Sequence, residues 1–200
     1  MNIKPIHLLK GTHSDTAQTG QGCFMNVIAY LNGESQITDT SPCVCVTVRP
    51  LAIKLNDLGT DDQRQRLLPF VLRAMGSATQ DAKVLDARVA RLRKYDEECA
   101  ALMRNAYASD SASASASASA YASADALMRN AYANASAYAD AYASAYDSAY
   151  AYADASASAV RASLFDAGLR YLNDVLPPAE PANEVTTQRL NTLQTLQTVE

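Results

Sequence analysis

Between Ser77 and Ala167 the sequence contains neither glycine nor proline. A span of about 90 residues without either punctuation residue excludes a series of tight turns, and points to long helix. The whole chain carries two histidines, His7 and His13. Both lie near the N-terminus, so any general base of this type must come from there. No stretch of about 18 strongly apolar residues occurs, which argues against a membrane-spanning helix. The first residues, MNIKPIHLLKG, lack the apolar segment and small-residue cleavage site of a secretory signal. Four cysteines without such a signal read most simply as free thiols in a reducing cytoplasm. No glycine-rich phosphate loop, G-x-S-x-G elbow or H-E-x-x-H pair is present.

Clustered basic charge is also missing. Up to Arg104 there are 13 Lys and Arg against 11 Asp and Glu; from Asn105 onward there are 4 against 10. An acidic second half disfavours a nucleic-acid groove there. Arg88, Arg91, Arg93, Lys94 and Arg104 do group together. Asp86, Asp96, Glu97 and Glu98 interleave with them, as on a solvated, salt-bridged helix face. The apolar fraction of 48% is inflated by alanine, which supplies helix propensity but little burial.

What is present divides into four parts. Residues 1–21 are polar and read as an irregular arm. Residues 22–76 read as short helices. CFMNVIAYLNG is an apolar helix stopped by Gly33 at a position that favours positive φ. Ser41-Pro42 suits a helix start, whereas CVCVTV is β-rich and suits an extended strand up to Pro50. A helix from Pro50 to Asp57 follows, closed by Gly59. Thr60 and Gln63 have the spacing of a capping box. Pro69 splits or kinks the helix they start, and Gly76 ends it. Residues 77–176 are the long helical region. Its first part places Leu85, Val89, Leu92, Cys99, Leu102, Met103 and Ala106 on one face. Its last part places Val160, Leu164, Leu169, Leu172 and Leu176 on another. Residues 177–200 form a Pro-, Thr- and Gln-rich tail, with Leu190, Leu193, Leu196 and Val199 in a spacing of three that suits a short helix.

The middle of the long region is a repeat. ALMRNAYA occurs at 101–108 and at 126–133, separated by alternating Ser and Ala. Linker, silk-like strand and helix are the three readings. Flexible linkers usually carry glycine, and Ala and Ser are poor strand formers, so helix is favoured. An offset of 25 residues is then about seven turns, about 37 Å, and restores the same face. Tyr107, Tyr121 and Tyr132 share a stripe, and Tyr138, Tyr142, Tyr146 and Tyr150 step by four into a ridge. These tyrosines form the expected interaction face, covered by the protein itself, a second copy or another protein. The expected fold is all-α: a cluster of short helices, then one long helix or a helical hairpin turning near 110–119. In the hairpin, the tyrosine face of 120–158 would lie on Leu85–Met103.

Two constellations bear on chemistry. Cys23, at an expected helix N-terminus, has the position that favours a thiolate. Paired with His13 and oriented by Asn26 or Asp39, it would be a candidate nucleophile. The competing and favoured reading is a core cysteine opening an apolar helix. Cys43 and Cys45, with Cys23 and His13, offer four zinc ligands, but a one-residue gap is unusual in such sites and no metal or other cofactor is expected. Asp61 and Asp62 suit capping, and the Leu-Asn-Asp of Leu55–Asp57 suits a helix end.

Cys23, Met25, Asn26, Ala29–Glu34, Asp39, Pro42, Cys43, Leu55–Asp57, Arg64–Phe70, Arg73 and Gly76 carry a resemblance. Residues 22–76 resemble a family of small helical bacterial and phage proteins with no assigned activity, some with Ala/Tyr/Asp/Ser tracts. The resemblance implies a helical fold and a phage or mobile-element setting, and transfers no catalytic residue. The expectation is a non-enzymatic interaction or scaffold protein in the bacterial cytoplasm or associated with a virion. It would associate with itself or with another protein, not with nucleic acid or membrane. A small enzyme using Cys23 and an inhibitor of a host protein are the alternatives.

Overall fold

The computed structural model describes residues 6–11, 16–106, 158–179 and 181–197. These are mostly helical. Two units are distinguished: one gathers Met1–Cys45, Leu55–Ala78 and Leu176–Glu200, the other Val46–Lys54 and Thr79–Val175.

The first unit is built round α1 (Phe24–Leu31), in which every residue except Tyr30 is buried. A helix apolar on all sides must be central. Its C-terminus is closed as the sequence leads one to expect. Gly33 sits at φ 82°. Its N–H donates to the Tyr30 carbonyl and that of Glu34 to the Ala29 carbonyl, each at 3.0 Å, the two bonds of a Schellman motif.

In α2 (Arg49–Leu58) the last turn belongs to this unit. Thr60 and Gln63 form both bonds of the capping box at the start of α3 (Asp61–Gln65). Pro69 lies in the first turn of α4 (Leu68–Ala74), so it divides two helices rather than kinking one. Gly76, at φ 74°, follows that helix. The tail contributes α7 (Glu184–Gln197), which packs on α1. Its start is capped by Asn183, whose Oδ1 accepts from the Thr186 N–H at 2.8 Å.

The helical expectation holds broadly, with one small exception, and the strand reading of CVCVTV needs correction. The fold is not purely helical. β1 (His7–Leu8) pairs in parallel with β2 (Gln21–Gly22), in the stretch expected to be irregular, with a 3-10 turn at Ala17–Thr19 between them. The pairing holds because Ile6 and Leu8 are buried and because Gln65 bonds β1 from the other side. Leu8 N–H donates to Gln65 Oε1 at 3.0 Å, and Gln65 Nε2 donates to the Leu8 carbonyl at 2.9 Å. CVCVTV is neither helix nor strand but a run of turns. Single bonds tie it down, from Cys45 N–H to Ser77 Oγ and from Ala78 N–H to the Cys43 carbonyl, both at 3.0 Å, so no ladder forms.

Among its described residues, the second unit holds α5 (Ala82–Ala106) and α6 (Ser158–Val175). The Asp81 carboxylate caps α5 by accepting from the Lys83 N–H at 2.9 Å. The two helices are antiparallel. Arg91 pairs with Asp174 at 2.6 Å, the Tyr95 and Tyr171 rings lie 5.8 Å apart, and Arg170 reaches Glu98 at 3.4 Å. Leu92, Tyr95, Cys99 and Met103 of α5 are buried, as are Leu164, Phe165, Tyr171 and Leu172 of α6. The Tyr171 hydroxyl donates to the Thr47 carbonyl at 3.1 Å.

This antiparallel pairing of α5 with α6 is incompatible with an unbroken rod from 80 to 176. The stretch 110–119, proposed as the turn, lies outside the described residues. The face of α5 assigned from sequence to the tyrosine tract packs on α6; the tract itself lies outside the described residues.

Candidate functional site

The residues singled out at the start of α1 come together. Cys23 is its N-cap, with φ −67° and ψ 164°. The thiol sulfur accepts from the Asn26 N–H at 3.3 Å, the bond a serine or aspartate oxygen makes at most helix starts. The same thiol donates to Asp39 Oδ1 at 3.2 Å, and Asn26 Nδ2 donates to that oxygen at 3.0 Å. So Asn26 and Asp39 do contact Cys23, and the helix does begin there.

The electrostatics oppose a nucleophile. Burial pushes the Cys23 thiol up to about 12, and the hydrogen bond to Asp39 and that carboxylate's charge add to the rise; the Asn26 N–H pulls the other way without prevailing. A thiolate is the reactive species, and this thiol is held protonated at neutral pH. His13, its proposed base, lies outside the described residues.

Beside it, the Ser41 hydroxyl bonds the Glu34 carboxylate and lies 3.1 Å from the half-buried Cys43 sulfur. The Cys43 thiol is also raised, by burial above all and by Glu34, against lowering by Ser41 and the Gly76 backbone. Cys23, Cys43, Cys45 and Cys99 are free thiols. Among the described residues, no group of three or more His, Cys, Asp or Glu side chains could hold a metal ion.

Asn56, Asp57 and Arg64, also singled out in the sequence, satisfy backbone groups. Asn56 is buried. Its Oδ1 accepts from Phe24 N–H at 3.1 Å and its Nδ2 donates to the Leu9 carbonyl at 2.9 Å. Asp57 Oδ1 accepts from Gly11 N–H at 3.0 Å. The buried Arg64 donates to the Asn56 and Gly59 carbonyls at 2.7 and 2.9 Å, and pairs with Asp61 at 2.5 Å. It thereby places positive charge at the negative end of α2. Asn56 and Asp57 lie in the last turn of α2, and their side chains bond the start of α1 and the arm before it.

Tyr107, Tyr121, Tyr132, Tyr138, Tyr142, Tyr146 and Tyr150 lie outside the described residues. The tyrosines that the described fold buries, Tyr95 and Tyr171, were not in that set. Tyr95 continues the Leu92–Cys99 spacing and was legible on that ground; Tyr171 adjoins Leu172 on α6. In the basic patch, Arg88 is buried and Arg91 pairs with Glu98 and Asp174, while Arg93 and Lys94 are exposed. Among the described residues, no helix is long and apolar enough to cross a membrane. Comparison with protein-family models, curated proteins and solved structures finds no match.

Proposed function

We propose that the chain is a non-enzymatic helical interaction protein of phage or mobile-element origin, acting in the bacterial cytoplasm and associating with itself through the tyrosine face of residues 107–150. The observation that carries this reading is the covering of α5 by α6. The buried stripe from Leu92 to Met103 already has its partner within the chain. The seven tyrosines of that face stand in the sequence between these two paired helices, and a tyrosine-rich face would supply contact area with polar tips. The seal on Cys23 supports the same reading, because it disfavours the enzyme alternative.

The test is the mass of the full chain by light scattering, compared with a variant carrying Tyr138→Ser, Tyr142→Ser and Tyr146→Ser. Self-association predicts a multiple of 21.4 kDa that returns to the monomer in the variant. A wild-type monomer at high concentration sinks the self-association, and a pull-down from host lysate then asks for a foreign partner.

A further inference from the structure

The Schellman motif leaves one carbonyl of α1 over, that of Leu31, and α7 supplies its donor. The Thr186 hydroxyl donates to it at 3.1 Å. One turn further along α7, the Arg189 guanidinium donates to the Tyr30 carbonyl and lies 4.6 Å from the centre of the Tyr30 ring. Gly33 is bare for a second reason besides its φ: a Cβ there would stand 2.9 Å from Val185 Cγ1. Leu190 and Leu193 are buried below these contacts. The end of α1 therefore reads a sequence, Val-Thr-x-x-Arg-Leu-x-x-Leu, on one face of a helix.

α7 is attached in a way that lets it leave. It packs on α1 and the 3-10 turn, and among its described side chains the buried apolar ones are Leu190 and Leu193. Gln188, Asn191, Thr192 and Gln194 face water. A helix held by few buried groups belongs to the low-stability end of a fold. The eight residues that join it to α6 include Pro177, Pro178 and Pro181. The start of that connection is clamped, since Arg73 donates to the Leu176 and Pro177 carbonyls at 2.6 and 2.9 Å. Movement of α7 about the segment after Pro177 keeps the Arg73 clamp and frees the Tyr30 and Leu31 carbonyls of α1.

We infer that the C-terminal end of α1 is a helix-docking site, and that the α7 of a second copy of this chain occupies it by exchange. A second α7 brings the same threonine, arginine and leucines to the same carbonyls, so each bond broken on release is remade between chains. This exchange uses a surface separate from the tyrosine tract and does not depend on it.

The test uses two full-length variants, both carrying Tyr138→Ser, Tyr142→Ser and Tyr146→Ser to silence the other surface. The acceptor adds Leu190→Asp and Leu193→Asp, so its site is free. The donor adds Gly33→Gln, so its α7 is free and its site blocked. Sedimentation of each alone is expected at 21.4 kDa, and of the equimolar mixture at twice that mass. Arg189→Ala in the donor is expected to abolish the heavier species. A mixture that sediments as its separate components, or a complex indifferent to Arg189→Ala, overturns the inference and leaves the tyrosine reading untouched. If circular dichroism shows either variant unfolded, a Thr186→Val, Arg189→Ala acceptor or a Gly33→Ala donor takes its place, and the same two results decide.

Discussion

Replacing Cys23 by serine keeps an N-cap acceptor and removes the thiol proton, and its effect should appear in alkali. The native thiol is raised to about 12 from an ordinary value near 9. A group raised in the folded state stabilises the fold fully below its unfolded value, and that stabilisation is lost as pH climbs toward the folded one. Three pKa units at 1.36 kcal/mol each make about 4 kcal/mol in total. By pH 10.5, about 2 kcal/mol of it should be gone. At roughly 2–4 °C per kcal/mol for a chain of this size, that is about 4–8 °C in Tm. The eleven tyrosines and the other cysteines ionise over the same range, so the informative quantity is a difference. Tm of wild type minus Tm of Cys23→Ser, followed from pH 8 to 10.5, should fall by that amount. Parallel curves would refute the burial of a protonated thiol. So would alkylation of native Cys23 at pH 7 as fast as a thiol in the urea-unfolded chain, since the raised pKa alone slows it about a thousandfold.

Asn56→Ala removes the partners of two backbone groups, Phe24 N–H and the Leu9 carbonyl. At about 1–3 kcal/mol for each unsatisfied buried group, the loss is about 2–6 kcal/mol, or some 5–20 °C in Tm by calorimetry. A change under 2 °C would show that these bonds are replaced by water. Exchanging residues 107–157 for a short glycine-serine connector should leave the α5–α6 pair intact. Closing a shorter loop favours the pair by about 1–2 kcal/mol, and the buried Leu164, Phe165, Tyr171 and Leu172 are untouched. Near-UV dichroism from Tyr95 and Tyr171 reports the outcome, and its disappearance would mean that the pair needs the tract.

Features set by neighbours in sequence were legible in it. The Thr60–Gln63 box, the break at Pro69 and the positive φ at Gly33 each depend on a few adjacent residues, and all three are present. Features set at a distance were not. The two-residue strand pair carries no periodicity and relies on Gln65, 57 positions from Leu8. The favoured core-cysteine reading of Cys23 follows from its apolar neighbours, but Asp39, 16 positions away, which adds to holding it protonated, does not. The stripe on α5 was visible as a stripe, but nothing in a stripe says which segment covers it.

The side chain of Gln65 has a consequence beyond holding β1 in place. A strand bonded on one side offers its remaining N–H and C=O groups to any extended peptide, and such edges recruit further strands into aggregates. Here a single primary amide has the donor and acceptor spacing of one residue of backbone, and it occupies both groups of Leu8. The sheet is in effect terminated by a one-residue third strand that cannot propagate. An incoming peptide would first have to evict a glutamine, so the smallest element of the fold is also closed to runaway growth.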